Sequence, residues 1–198
     1  MNVTRGEVKR STQTRTRIKR ALTELIHEKG FDALTVSDIT RRAGINRGTF
    51  YLHFVDKYDL LAQLEKDLIS KLAEKLVHRD TASATSCDMF PYPLILSALK
   101  LVADDFDFVA AIAGKGGDPE FHSMLKGVIE HLLDQGLKMS GRTFCCERFP
   151  LEYARELATS QILAIIKLWL ERDGAEAVEE VARMITDVKD VCPNQLIR

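Results

Sequence analysis

The chain has 198 residues, 45% of them hydrophobic and 29% charged, with 28 Lys or Arg against 29 Asp or Glu. That is ordinary for a folded globular protein, long enough for a small headpiece plus a larger core, and it argues against a disordered or fibrous chain. Met1 to Arg20 is polar and basic without the apolar stretch of a secretory signal, and the densest apolar run, Ile162 to Ile166, stops at Lys167, far short of the roughly 20 residues of a membrane span. The expected setting is the cytoplasm, with no membrane contact.

The net charge of −1 hides an asymmetry. Residues 1–58 hold 12 Lys or Arg and 6 Asp or Glu, whereas residues 59–198 hold 16 and 23. A basic end suits a polyanion, because phosphate neutralisation supplies most sequence-independent affinity for DNA. Lys9, Arg10, Arg15, Arg17, Lys19 and Arg20 crowd the approach to the first helix and its opening turns. They read equally as a solvated arm and as one that reaches along the DNA backbone or into a minor groove.

Leu34 to Lys57, LTVSDITRRAGINRGTFYLHFVDK, spells a helix-turn-helix. Thr35 with Asp38 three residues on predicts a capping box for a helix ending near Ala43. Gly44 supplies the left-handed turn, and Asn46 caps a second short helix through about His53. Leu34, Val36, Ile39, Ala43, Ile45, Phe50 and Phe54 can then face inward. Ser37, Arg41, Arg47, Thr49, Tyr51 and His53 stay outside. Arg47, Thr49, Tyr51, His53 and the following Lys57 can all donate to phosphate, and Arg47 can also grip a guanine edge with two hydrogen bonds. For any one of these residues, packing or a solvated cap would explain it as well; the set on one face after this turn points to DNA.

This segment resembles the TetR family of bacterial transcriptional regulators, whose typical run is T-V-x-x-I-A-x-x-A-G-V-s-x-g-t-l-Y-x-H-F-x-x-K-x-x-L. The chain agrees at Thr35, Val36, Ile39, Ala43, Gly44, Thr49, Tyr51, His53, Phe54, Lys57 and Leu60, and Ile18, Ala21, Leu22, Gly30 and Phe31 fit the family's first helix and turn. The resemblance implies that Arg47 and Gly48 face bases, Gly48 through close backbone approach. Thr49, Tyr51, His53 and Lys57 would touch phosphate and groove, and Thr35 and Ser37 the backbone. Thr40 stands where the family more often has alanine, a change expected to affect packing and leave binding intact.

Beyond the headpiece the pattern is helical throughout, which makes the expected fold all-α. About nine helices are expected, with a DNA-binding domain over residues 1–58 and a ligand-binding and dimerisation domain over 59–198. Asp56 caps a long helix to about Val77, with Leu60, Leu61, Leu64, Leu68, Leu72 and Leu76 at helical spacing. Asp80 to Asp88 reads as a linker. Pro91 and Pro93 open a helix to about Asp104. Phe106 to Ala113 forms a short one closed by Gly114, Gly116 and Gly117; this GKGG lacks the order of a phosphate loop. Asp118 and Pro119 start a helix ending near Gly141. Pro150 opens another from Leu151 to about Arg172, closed by Gly174 and apolar nearly all round between Ile162 and Leu170, so it needs a second buried contact. A last helix, Ala175 to about Asp190, shows a stripe at Val178, Val181, Ala182, Ile185 and Val188 that suits a partner helix.

Pairing these last two helices with their copies would make a four-helix homodimer interface, and a two-fold dimer suits a palindromic operator. The family dimerises this way, and QILAIIKLWLERDGAEAVEEVARMI looks like the C-terminal domain common among its Gram-positive members. The resemblance also implies a small-molecule effector, with Phe106, Phe108, Phe121, Met124, Leu125 and Trp169 as candidate pocket residues, although such residues at helical spacing are core more often than cavity lining. Cys87, Cys145, Cys146 and Cys192 have no zinc-like spacing, and His122 and His131 no metal constellation, so neither metal nor cofactor is expected. The leading function is a ligand-responsive repressor. A DNA-bound interaction or architectural factor without an effector is the alternative, and hydrolase, zinc-protease, Walker and dinucleotide motifs are missing, which argues against an enzyme.

Overall fold

The computed structural model describes residues 5–77, 91–140 and 150–188, and within them every regular element is a helix. In chain order these are α1 (Arg5–Lys29), α2 (Val36–Ala43), α3 (Arg47–Tyr51), α4 (Lys57–Val77), α5 (Tyr92–Asp104), α6 (Phe106–Ala113), α7 (Pro119–Ser140), α8 (Leu151–Glu171) and α9 (Val178–Asp187). The expected linker Asp80 to Asp88 and the four cysteines lie outside the described residues, as do the side chains of Lys9 and Arg10.

The chain forms two compact units, one of residues up to Leu68 together with Asp107–Pro119, the other of Ile69–Phe106 with the residues from Glu120 on. The first therefore takes in 59–68 and most of α6, which the sequence reading places in the second domain. The physical reason is burial. Phe108, Val109, Ala111 and Ile112 of α6 are inaccessible to solvent, and α1 supplies cover: the Lys19 ammonium lies 4.4 Å from the centre of the Phe108 ring, and the Phe31 N–H donates to the Gly116 carbonyl at 2.7 Å. The headpiece core itself is Ile18, Leu22, Leu25, Leu34, Ile39, Phe50, Phe54 and Leu60, all buried.

The run expected as a basic arm is helical from Arg5. Its described cations are bound within the unit. Arg15 pairs with Asp67 at 3.3 Å, Arg17 donates to the Gly44 carbonyl at 2.8 Å, and Arg20 pairs with Glu24 at 2.8 Å.

In the second unit, α9 packs against both α5 and α8. Val181, Ala182 and Ile185 are buried there, so the stripe expected to meet a partner helix is covered by its own chain. What α8 leaves exposed is a different apolar set, Leu151, Tyr153, Leu157 and Leu168, with Met184 on α9. Asp173 and Gly174 adopt left-handed conformations (φ 54° and 67°) and Ala177 is extended, so α9 begins at Val178, three residues later than its composition suggests. Trp169 closes this corner: its indole N–H donates to the Glu176 carbonyl at 3.0 Å, and Phe106 meets its ring edge-on at 5.2 Å.

Candidate nucleic-acid interface

The helix-turn-helix is fixed by its own polar groups. Thr35 is extended, and its hydroxyl oxygen accepts from the Asp38 N–H at 3.2 Å while the Asp38 carboxylate accepts from the Thr35 N–H at 3.1 Å. The Thr35 hydroxyl also donates to Asp38, at 2.7 Å. Lys29 and Arg41 reach the same carboxylate at 2.8 and 2.7 Å. Lys29 first, and then the Thr35 bonds, hold the Asp38 carboxyl far below the usual carboxylate range. Gly44 then turns the chain in the left-handed region (φ 60°, ψ 43°). Arg42 spans Glu28 with two hydrogen bonds of 2.7 and 2.6 Å, which joins α2 to α1 and lowers the Glu28 pKa.

Asn46 caps α3 by accepting from the Gly48 N–H at 3.3 Å. Phe50 and Phe54 are buried, and their rings pack 5.6 Å apart. That anchor turns the other side of the short helix outward. Arg47, Gly48 and Tyr51 are exposed, Thr49 and His53 half-buried, and Arg47 donates to the Tyr51 hydroxyl at 3.3 Å. Ser37 is exposed at the start of α2. The helix is shorter than expected; it ends at Tyr51, with Leu52 as its C-cap.

Two of the eight predicted contact residues have work inside the protein. The Thr35 hydroxyl closes the capping box. Lys57 gives two of its three donors to the Phe31 and Asp32 carbonyls, at 3.1 and 2.9 Å, and its ammonium lies 4.9 Å from the Phe31 ring centre. It therefore ties the start of α4 to the loop after α1.

The second unit contains a mostly apolar groove of about 350 Å³ lined by Ile69, Ala73, Met124, Gly127, Val128, His131 and Leu132. Of the six expected pocket residues, only Met124 lines this groove. Phe108 belongs to the first unit, Phe121 and Trp169 are buried, Phe106 packs on Trp169, and Leu125 is half-buried outside the lining. The signal that could have found the groove is the pairing of small residues, Ala73 on α4 and Gly127 on α7, among larger apolar neighbours. Among the described residues, no group of three or more His, Cys, Asp or Glu is placed to hold a metal, and no helix is long and apolar enough to cross a membrane.

Residues 18–64 match the family described as bacterial regulatory proteins of the tetR family, and residues 91–190 match its companion, a transcriptional regulator C-terminal region. The chain belongs to the TetR family of transcriptional regulators. The HTH-type transcriptional regulator YxbF of Bacillus subtilis (strain 168) is 24% identical over 176 residues, 86% of this chain and 43% of that protein, so the chain spans less than half the length of this relative. The fatty acid metabolism regulator protein of the same organism is 26% identical over 162 residues, 77% of this chain and 81% of its own. A crystal structure of the transcriptional regulator FadR from Bacillus subtilis in complex with stearoyl-CoA superposes with a TM-score of 0.61 at 21% identity, covering 87% of this chain and 96% of FadR. At that identity the likeness shows the fold alone.

Proposed function

We propose that this TetR-family chain is a homodimeric repressor that binds an inverted-repeat operator and releases it when an apolar effector occupies the groove between α4 and α7. The observation that carries the DNA half is the outward face of α3, where Arg47, Gly48 and Tyr51 stand exposed over the buried Phe50 and Phe54. Arg47 reads a guanine edge there, while Thr49, Tyr51, His53 and Ser37 position the helix on phosphate. Thr35 contributes by holding α2, since both its donors go to Asp38, and Lys57 by holding the loop after α1, with its third donor left for a phosphate.

The effector half rests on the groove, whose volume falls within the range of small-molecule sites. His131 is its polar feature. Its Nε2 lies 2.8 Å from the Gln135 amide nitrogen, and with that amide as donor the other ring nitrogen carries the proton and is available to an acceptor on the ligand. An apolar body with one acceptor group fits that lining. The groove is joined to the headpiece by α4, which supplies Ile69 and Ala73 at one end and Lys57 at the other. A ligand must prefer the conformer with mismatched headpieces to act through that helix. Dimerisation is assigned to the exposed Tyr153, Leu157 and Leu168 of α8 with Met184 of α9, and the setting is the cytoplasm.

The test is selection from a random duplex pool at two salt concentrations, with wild type and Arg47→Ala side by side. Wild type is expected to enrich an inverted repeat, and the variant to lose preference at one base pair per half-site, about 1 to 3 kcal/mol each. Salt-sensitive binding without an enriched sequence would refute the repressor reading in favour of an architectural factor, and absence of binding would refute both.

A further inference from the structure

We infer that Leu52 is a base-reading residue, which packs its side chain against the 5-methyl group of a thymine in each operator half-site. The inference rests on the proposed DNA-binding reading and adds to it a determinant of sequence that is neither charged nor a hydrogen-bond donor.

Leu52 is 82% exposed, the most exposed large apolar residue among the described residues. It is one of several large apolar side chains exposed over residues 51–58, with Tyr51, Val55 and Tyr58, and covering such a set against a partner is favourable. Its place at the C-cap of α3 points to the occupant. The Leu52 N–H donates to the Gly48 carbonyl at 3.2 Å, so the two residues lie one turn apart along the helix, in the row beside Arg47 and Tyr51, which are themselves one turn apart and in contact.

Gly48 gives the second, independent observation. A Cβ at Gly48 would have nothing within 4 Å, so the fold does not ask for glycine there, although glycine weakens a helix relative to alanine. The row formed by Gly48 and Leu52 is thus bare at one end and apolar at the other, next to a guanidinium suited to guanine. The major groove presents matching features. Guanine offers acceptors, and thymine offers the one methyl group on a base edge, which apolar side chains contact directly. A protein partner would have no use for the bare backbone at Gly48, whereas a base edge approaching a helix does.

Leu52 is also safe to change, since it is exposed and its capping contact is made by backbone. The experiment takes the inverted repeat recovered by selection and replaces each thymine in turn by deoxyuridine, which removes only the methyl group. Binding is titrated for wild type, Leu52→Ala and Leu52→Met, with far-ultraviolet circular dichroism to confirm folding. Wild type is expected to lose about fourfold at one thymine per half-site, the worth of one buried methyl. Leu52→Ala should be insensitive there, and Leu52→Met should keep the sensitivity. A wild type indifferent to every methyl, or a Leu52→Ala profile equal to that of wild type, would overturn the inference and leave the operator reading standing. Failure to recover any inverted repeat would overturn both.

Discussion

Gly48 of α3 and Gly127 of α7 sit in different units, yet they share a property: a Cβ on either would meet nothing within 4 Å. Gly117, between α6 and α7, is the opposite case, because a Cβ there would run into the Ile112 carbonyl. Gly44 is likewise fixed by its left-handed turn. The difference separates glycines that close the fold from glycines that leave room for something outside it. Gly48 leaves room on the face that α3 turns outward, and Gly127 leaves room in the groove.

The sharpest way to break this distinction is Gly117→Ala. The added methyl has to displace backbone, so the variant is expected to lose on the order of 3 kcal/mol of stability, seen as a lower midpoint in denaturant with an unchanged slope. DNA binding should fall only as the folded fraction falls. An unchanged midpoint would show that the loop relaxes freely, and the contrast with Gly48 would lose its basis.

Gly48→Ala tests the other class. Alanine is the better helix former, so stability should hold or rise by about 0.5 to 1 kcal/mol. On the proposed reading, in which a base edge approaches that backbone, operator affinity should drop about tenfold. Opposite signs for stability and binding are the signature. Loss of both together would instead make Gly48 a structural residue.

Gly127→Phe fills the groove from its open side. Operator binding should be unaffected, while binding of an apolar fluorescent anion such as anilinonaphthalene sulfonate to the second unit should weaken at least tenfold, about 1.4 kcal/mol. Full retention of dye binding would remove the groove from the effector reading.

The two units also differ in how much of them the sequence discloses. The headpiece is legible because its signals are local. Thr35 with Asp38, Gly44 and Asn46 each act within four residues, and each stands in the structure where the spacing puts it. The second unit is specified by packing between distant helices, which spacing alone does not reveal. Trp169 and Phe106 look like pocket lining in a one-dimensional pattern and turn out to cover one another. The α9 stripe suits a partner helix and finds one inside its own chain. Lys57 reads as a phosphate donor in a one-dimensional pattern, whereas the acceptors it meets in the structure, the Phe31 and Asp32 carbonyls, lie more than twenty residues back along the chain.

The smallest expected effect concerns pH, and it concerns the unit whose wiring is polar. Asp38 accepts from Lys29, Arg41 and both donors of Thr35, and its pKa is depressed. A carboxyl depressed in the folded state stabilises fully above its unfolded value of about 4, and that contribution drains away as pH falls below it toward the native value. The thermal midpoints of wild type and Asp38→Asn should therefore differ by a constant amount between about pH 5 and 8 and converge in acid, before the global acid transition. Screening at the surface keeps the gap small and makes it shrink with salt. Gly48→Ala, whose effect is steric and conformational, should show neither dependence. A gap for Asp38→Asn that widens on acidification would mean that the protonated carboxyl is the form the native headpiece prefers, contrary to the two cations and two Thr35 donors that surround it.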